Sequence, residues 1–411
     1  MNSRILIIVD SIDVNDSSGS KANVALIKNL ATIGYAITVY HYTQKDIQLQ
    51  GTTCISIREK KYTPLYFLSR TQRIIQRYFK VNLAIHLEPI FGFSFTYFND
   101  VNSIKAVLKK LAVSKFDLVL TLSKGASFRP HYAILKSSQF HNKWLAYVHD
   151  PYPFHYYPRP YNWVEPGFKR KELFFKKVSE KAKYSGFPSL LLKDWMGSYF
   201  PNFINTGLII PHQKMNTDEK DMKTPSFFIS TKFNLLHAGN LMKPRSPKGL
   251  IIGFKIFLNK HPEAKEKACL YLIGEASYHK KLLAGYESIL PELKVISNNI
   301  PFESVYAIQK KASVNIILEA KSEISPFLPG KFPHCIAAQK PILILGPYFS
   351  EVRRLLGSEY KYWSEIDDSE TIAIKIEELY YNWRKNSNNL DYNSLNDYLS
   401  VNHLKKIFSS L

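Results

Sequence analysis

The sequence is poor in cysteine and in acidic residues, and it has no long apolar run. Its three cysteines, Cys54, Cys269 and Cys335, are far apart and odd in number. They form neither a disulfide framework nor a zinc-finger spacing and point to a reducing compartment. No stretch approaches the roughly 18 apolar residues that a bilayer-spanning helix needs. The apolar run Ile5–Val9 is too short for a signal-peptide core and reads as a first buried strand. The expected location is therefore cytoplasmic, possibly peripheral at the inner face of the cell membrane. Acids are outnumbered by bases, 34 Asp and Glu against 55 Lys and Arg, for a net charge of +21. Such an excess implies an anionic partner: nucleic acid, an anionic membrane face or phosphorylated small molecules. There is no cluster with metal-ligand spacing, no GxGxxG fingerprint and no aromatic-rich nucleic-acid motif, so neither a metal nor a nucleic-acid partner is expected.

What is present is a large core and a repeated rhythm. The 411 residues are 45% hydrophobic and 14% aromatic, enough for two domains of ordinary size. Arg4–Val9, a Ser/Gly turn, an apolar-faced helix closed by Gly34, and Ile37–Tyr40 make a βαβ unit, which favours a parallel sheet. The rhythm continues through Phe116–Thr121 and Trp144–Val148. It restarts at Phe233–His237 and runs through Cys269–Gly274, Leu293–Ile296, Val314–Leu318 and Pro341–Leu345. The expected class is α/β, two Rossmann-like βα domains facing across a cleft. The expected boundaries are an N-terminal domain at 1–210, a polar linker at 211–226, a C-terminal domain at 227–385 and a helical tail at 386–411.

Residues 60–98 interrupt this rhythm. On a helical wheel Phe67, Leu68, Ile74, Ile75, Tyr78 and Phe79 share one side, and Arg70, Arg73, Arg77 and Lys80 the other. That pattern suits a helix lying on anionic lipid. It also suits, and better, a surface helix that packs its aromatic side into its own domain.

Open α/β sheets bind ligands at the C-terminal ends of their strands, and this places the candidate residues. Gly19 lies in the first βα turn, where it either lets a ligand approach the backbone or simply turns the chain. His149 and Asp150 sit at a strand tip, as reactive groups or as structural ones. In the second half Lys243, Arg245 and Lys248, Gly274-Glu275, and the segment Ser325–Pro347 all follow strands. That last segment reads as a Pro/Gly loop, a short helix from Lys331 to Ala338 and a buried strand. Gly330 offers unusual backbone angles, Lys331 a mobile charge, and the helix start unpaired N–H groups. Several cations and a helix dipole around one point suit a diphosphate.

The motifs Gly239-Asn-Leu-Met-Lys-Pro-Arg245-Ser-Pro247, Leu272-Ile-Gly274, Ser325-Pro-Phe-Leu-Pro-Gly-Lys331 and Ala337-Ala-Gln-Lys-Pro341 resemble those of retaining GT-B glycosyltransferases. The likeness is to group 1, or family 4, enzymes that use nucleotide-sugar donors. It covers both halves and is strongest from about 230 to 350. It implies transfer of a sugar to a glycan or lipid-linked acceptor, in cell-surface polysaccharide assembly, with no metal or other cofactor. By the same resemblance the domain at 1–210 is the acceptor side and the domain at 227–385 binds the nucleotide-sugar. Arg245, Lys248, Gly330 and Lys331 then hold the donor diphosphate, and Gly274 and His334 lie at the nucleotide and ribose. His149 and Asp150 lie near the reacting sugar and Gly19 on a loop facing donor and acceptor. Where relatives carry two glutamates eight residues apart, this chain has Pro326 and His334. Glu319 and Glu323 are the nearby carboxylates able to take the ribose contact. Gln339 stands where relatives often have glycine. The competing functional readings are a nucleotide-sugar epimerase of similar fold and a basic, non-catalytic binding protein.

Overall fold

A computed structural model describes residues 3–215, 223–297, 300–387 and 390–411. The chain forms two compact units, one of Met1–Tyr157, Asn162–Met215 and Ser400–Leu411, the other of Pro158–Tyr161 and Asn216–Leu399. Positions 216–222 of the expected linker lie outside the described residues.

The first unit is built on a parallel sheet of seven strands: β1 (Arg4–Val9), β2 (Ala36–His41), β3 (Thr52–Ser56), β4 (Leu118–Leu122), β5 (Trp144–Tyr147), β6 (Tyr184–Phe187) and β7 (Gly207–Ile209). Their order is β3-β2-β1-β4-β5-β6-β7. β1 is an interior strand, and Ile5 to Val9 are all buried, as a strand covered on both faces demands. Ser17 caps the helix Ser18–Thr32 by accepting from the Ser20 N–H at 3.1 Å, which fixes where the chain leaves β1. The helix Val401–Ser409, at the far end of the chain, returns to this unit. Its Leu404 and Phe408, one turn apart, are buried, and Phe408 packs 6.1 Å from Tyr35.

The second unit repeats the plan with β8 (Phe233–Ala238), β9 (Ala268–Ile273), β10 (Leu293–Ile296), β11 (Val314–Leu318), β12 (Ile324–Ser325), β13 (Ile342–Leu345), β14 (Phe349–Ser350) and β15 (Trp363–Ser364). Six of these form a sheet in the order β10-β9-β8-β11-β13-β15, while β12 and β14 pair separately. In each main sheet the order reverses beside the first strand, between β1 and β4 and between β8 and β11. Such switch points open a crevice beyond the strand ends.

The helix Pro64–Phe79 departs from the packing alternative. Its buried residues are the polar Ser69 and Gln72. Gln72 accepts from the Phe95 N–H at 3.0 Å and Ser69 donates to Thr96 at 3.2 Å. Phe67, Tyr78 and Phe79 are instead 59%, 73% and 71% exposed. Arg73 does not belong to a free basic stripe, because Glu59 accepts from it at 2.6 Å; Arg70 and Arg77 are exposed. No helix among the described residues is long and apolar enough to cross a membrane.

Candidate functional site

The second unit collects its candidates at the β8/β11 switch point. His237 is the penultimate residue of β8 and is buried. Gly239 follows the strand at φ +155°. The Lys331 ammonium reaches His237 Nδ1 at 3.1 Å and would lie 3.2 Å from a Cβ at Gly239. Glycine at 239 therefore makes room for the lysine. Gly274, after β9, has φ +132°, and a Cβ there would stand 2.7 Å from the Gly239 carbonyl oxygen. Two glycines thus let the β8 and β9 loops close on each other.

Three charges face one another in this corner. Burial, then the proximity of Arg245, push Lys331 down to about 7, although an opposing pull from Glu319 remains. Burial alone outweighs Ser325, Ser350, Arg245 and Lys331 in pushing Glu319 up to about 7. Glu319 follows β11 and its Oε1 accepts from the Ser325 hydroxyl at 2.6 Å, tying the loop to the sheet. Its Oε2 and the Arg245 Nε are both buried without a hydrogen-bond partner. Among the described residues Arg245 forms no ion pair, and it is half-buried. His237 is held well below its ordinary range by burial and by the two cations, so its imidazole is neutral, and its Nδ1 lies 3.1 Å from the Lys331 nitrogen and 3.3 Å from the Ile316 carbonyl oxygen.

The remaining sequence candidates take different places. Lys248 is exposed at the first position of the helix Lys248–Lys260. Gly330 shows no left-handed backbone, contrary to the expectation of unusual angles; what it offers is space, with nothing within 4 Å of a Cβ. The short helix spans Phe332–Ala337, with Pro333 in its first turn as expected. Its N–H groups are already used: Phe332 donates to Pro329 and His334 to Lys331. The N–H groups of this helix start are therefore largely spent within the chain. His334 is buried edge-on between Phe302 and Tyr306, at centroid distances of 4.9 and 5.2 Å. Glu323 is exposed. Gln339 adopts φ +53°, the left-handed region where glycine is strain-free.

In the first unit Gly19 lies inside the first turn of its helix rather than on a loop. A Cβ there would make ordinary contact with Gly125 at 3.6 Å. His149 Nε2 is 2.8 Å from Asn23 Oδ1, while Asn23 Nδ2 donates to the Ser123 carbonyl at 2.9 Å. The amide thus accepts from the ring, which places the proton on Nε2. Burial, His212 and His131 hold His149 well below its usual range. It is a fixed, neutral hydrogen-bonding group and not a ready proton donor. Asp150 is half-buried beside it.

Sequence reasoning did not single out a cavity of about 530 Å³ at the β1, β2 and β4 ends, lined by Asp10, Tyr42, Asp100, Lys124 and Arg129 among others. Arg129 Nε lies 2.8 Å from Asp100, and Tyr42 donates to the same carboxylate at 2.8 Å. Burial pushes Asp10 up to about 7 against the pull of Arg129. Asp10 directly after β1 was the one available signal; its partners lie some 30 to 120 positions away. Among the described residues no group of His, Cys, Asp or Glu is arranged to hold a metal ion.

No protein-family model matches the sequence, and no curated protein sequence matches it. Solved structures do. Trehalose-6-phosphate synthase OtsA matches with a TM-score of 0.66 at 11% identity, over 99% of this chain and 98% of that one. The GT-B plan is shared. Anabaena HepE, in complex with UDP and glucose, matches at 0.57 and 11% over the full length of both chains. A glycosyltransferase from Rickettsia africae matches at 0.55 and 14%, over 93% of this chain and 89% of that one. At such identities the likeness establishes the fold, and the chemistry has to be argued from the residues.

Proposed function

We propose that the protein is a retaining glycosyltransferase that moves a sugar from a nucleotide-sugar donor to a glycan or lipid-linked acceptor in cell-surface polysaccharide assembly. The observation that carries this reading is the pair Arg245 and Lys331 at the β8/β11 switch point, two partly buried cations with no ion-pair partner among the described residues. Unpaired buried charge is costly, and a diphosphate would satisfy both. As the bond to the sugar breaks, negative charge grows on the diphosphate, and cations fixed in advance stabilise that charge. The UDP and glucose held by the structurally similar HepE support the choice of ligand class. Gly330 and Lys248 remain candidates beside the phosphates by their open surroundings, and Gly274 and His334 on the nucleotide side. His149, Asp150 and Gly19 remain candidates for the sugar side.

The test is a thermal-shift panel of UDP, GDP, ADP and CMP. A nucleotide at 100 times its Kd adds about 2.7 kcal/mol to stability. One of the four is expected to raise Tm by several degrees, and silence from all four would defeat the reading.

Membrane association at an anionic surface is part of the same proposal. Phe67, Tyr78 and Phe79 face solvent on the helix that carries Arg70 and Arg77, so apolar anchors and cations are available together. At about 1 kcal/mol per cation near an anionic surface, the double variant Arg70→Glu, Arg77→Glu should weaken binding to phosphatidylglycerol vesicles by about 30-fold or more. Unchanged sedimentation with the vesicles would remove the membrane claim. Arg73 is left in place, since its bond to Glu59 is structural.

A further inference from the structure

The helix Pro64–Phe79 is amphipathic in the reverse sense. At about 100° per residue, Phe67, Ile74 and Tyr78 share the face opposite its buried pair, Ser69 and Gln72. The domain takes the polar side and solvent the apolar one. The helix that follows, Ala84–Phe91, has no buried residue at all. Its Ile85 and Ile90, 53% and 59% exposed, stand at the two edges of an outer face that holds His86 and Pro89 between them. Single exposed apolar residues are ordinary. Here they gather: of the large apolar side chains exposed among the described residues, more stand in residues 58–91 than in any other stretch of that length. Such patches mark contact surfaces.

The surrounding charge says what covers the patch. Residues 58–91 hold seven Lys and Arg against two Glu, and both acids are taken. Glu59 accepts from Arg73 at 2.6 Å and Glu88 from Lys171 at 2.8 Å. Arg70 and Arg77 stand on one flank of the apolar stripe. The exposed Lys169 and Arg170 adjoin the end of the second helix, since a Cβ at Gly92 would lie 2.7 Å from that of Arg170. A second copy of the chain would set like charges against each other with no free carboxylate in the segment to answer them. An anionic bilayer meets both halves of the pattern, with phosphates for the cations and acyl chains for the apolar side chains. The second helix is also held firm. Lys171, itself buried, bridges Glu88 to Glu165 at 2.8 and 2.5 Å, and a Cβ at Gly167 would run into the Glu88 carbonyl oxygen. An element already fixed in this way loses little freedom on binding.

We propose that the two helices form a monotopic anchor: Ile85 and Ile90 enter the acyl boundary of an anionic bilayer, while Arg70, Arg77, Lys169 and Arg170 sit at its headgroup phosphates. This rests on the membrane part of the transferase reading and deepens it, from attraction at a charged surface to insertion of a named segment.

The native cysteines are all buried, so the variant Ile90→Cys can be labelled selectively with a polarity-sensitive fluorophore. On vesicles of mixed phosphatidylglycerol and phosphatidylcholine the probe is expected to shift to the blue and to be quenched by lipid spin-labelled high on the acyl chain. The double variant Ile85→Asn, Ile90→Asn should weaken vesicle binding about tenfold or more, the worth of two half-exposed aliphatic side chains, without lowering Tm. It should also remove the binding that persists in salt strong enough to screen the arginines. A probe that stays in water on vesicles that do sediment the protein would overturn insertion and leave the surface-charge reading standing. A blue shift that grows with protein concentration in the absence of lipid would assign the patch to a second copy and overturn the anchor as well. A parent chain that does not sediment with the vesicles would defeat both. UDP raising Tm equally in parent and double variant keeps the donor reading apart from each of these failures.

Discussion

Arg245→Ala is expected to lower kcat for sugar transfer by about 10²- to 10³-fold, the usual consequence of deleting one preorganised group at a developing negative charge. It should do so without destabilising the protein. Arg245 is half-buried, its Nε has no partner, and among the described residues it joins no salt bridge. Glu319, the nearest compensating acid, is itself pushed toward neutrality by burial. The folded chain therefore bears the cost of holding this cation and gains nothing from it until an anion arrives. The ordinary expectation for a buried Arg is the reverse, since truncation usually breaks a pair and lowers Tm. Single-turnover kinetics beside thermal melts distinguish the two. A lost activity with Tm unchanged or raised supports the anion site; a fall in Tm that parallels the fall in rate would assign Arg245 to the scaffold.

The second large effect concerns Lys331 and pH. Burial and Arg245 bring its folded value down to about 7 from the ordinary lysine value of 10.5, so above neutrality the free protein holds it largely as the amine. A diphosphate beside it would favour the charged form. Donor binding above pH 7 must then take up a proton, and the Kd for the nucleotide should rise by up to tenfold per pH unit above about 7. Titration at pH 8 in two buffers of different ionisation enthalpy measures the uptake directly. Lys331→Met should abolish it and cost roughly 10- to 150-fold in affinity, the range of a charge-assisted hydrogen bond. Stability moves the other way. The folded value lies below the unfolded one, so Lys331 destabilises the fold below pH 7, and the penalty disappears as pH climbs toward 10.5. Lys331→Met should therefore raise Tm more at pH 6 than at pH 10. Glu319 titrates at the lower edge of this window, so the change in Tm is taken as the difference between variant and parent at each pH. Its folded value is raised from 4.5 to about 7, so its contribution falls away as pH rises through that interval and is spent above it. No proton uptake at pH 8 would show that Lys331 does not meet the diphosphate.

Much of the fold was legible because parallel-sheet strands announce themselves locally. Ile5–Val9 and Ile342–Leu345 are unbroken apolar runs because both faces of each strand are covered. The gathering of Arg245, Gly274 and Lys331 in one corner was legible for a related reason: each follows a strand or its loop, and strand ends are where such sheets gather ligands. Other features resisted. A helical wheel shows that residues 64–79 have an aromatic and a basic side, yet neither is the buried one. Ser69 and Gln72 face inward because the partner segment at Phe95 and Thr96 offers hydrogen bonds, and that partner is unknown until the chain has folded. His334 was expected at the ribose from its place in a motif; whether it reaches solvent depends on Phe302 and Tyr306, which enclose it from another helix.

By itself, then, the sequence determined the two βα sheets, their order of appearance and the cations that stand at their strand ends. These follow from apolar periodicity, turn residues and charge, all of which act between near neighbours along the chain. Only the tertiary structure decided which charges are paired. Lys331 finds His237 across 94 positions and Arg129 finds Asp100 and Asp10 across 29 and 119, and no local pattern encodes that choice. The same lysines and arginines could have been neutral pairs or unmet cations. The difference lies in burial and in what the fold brings within about 3 Å.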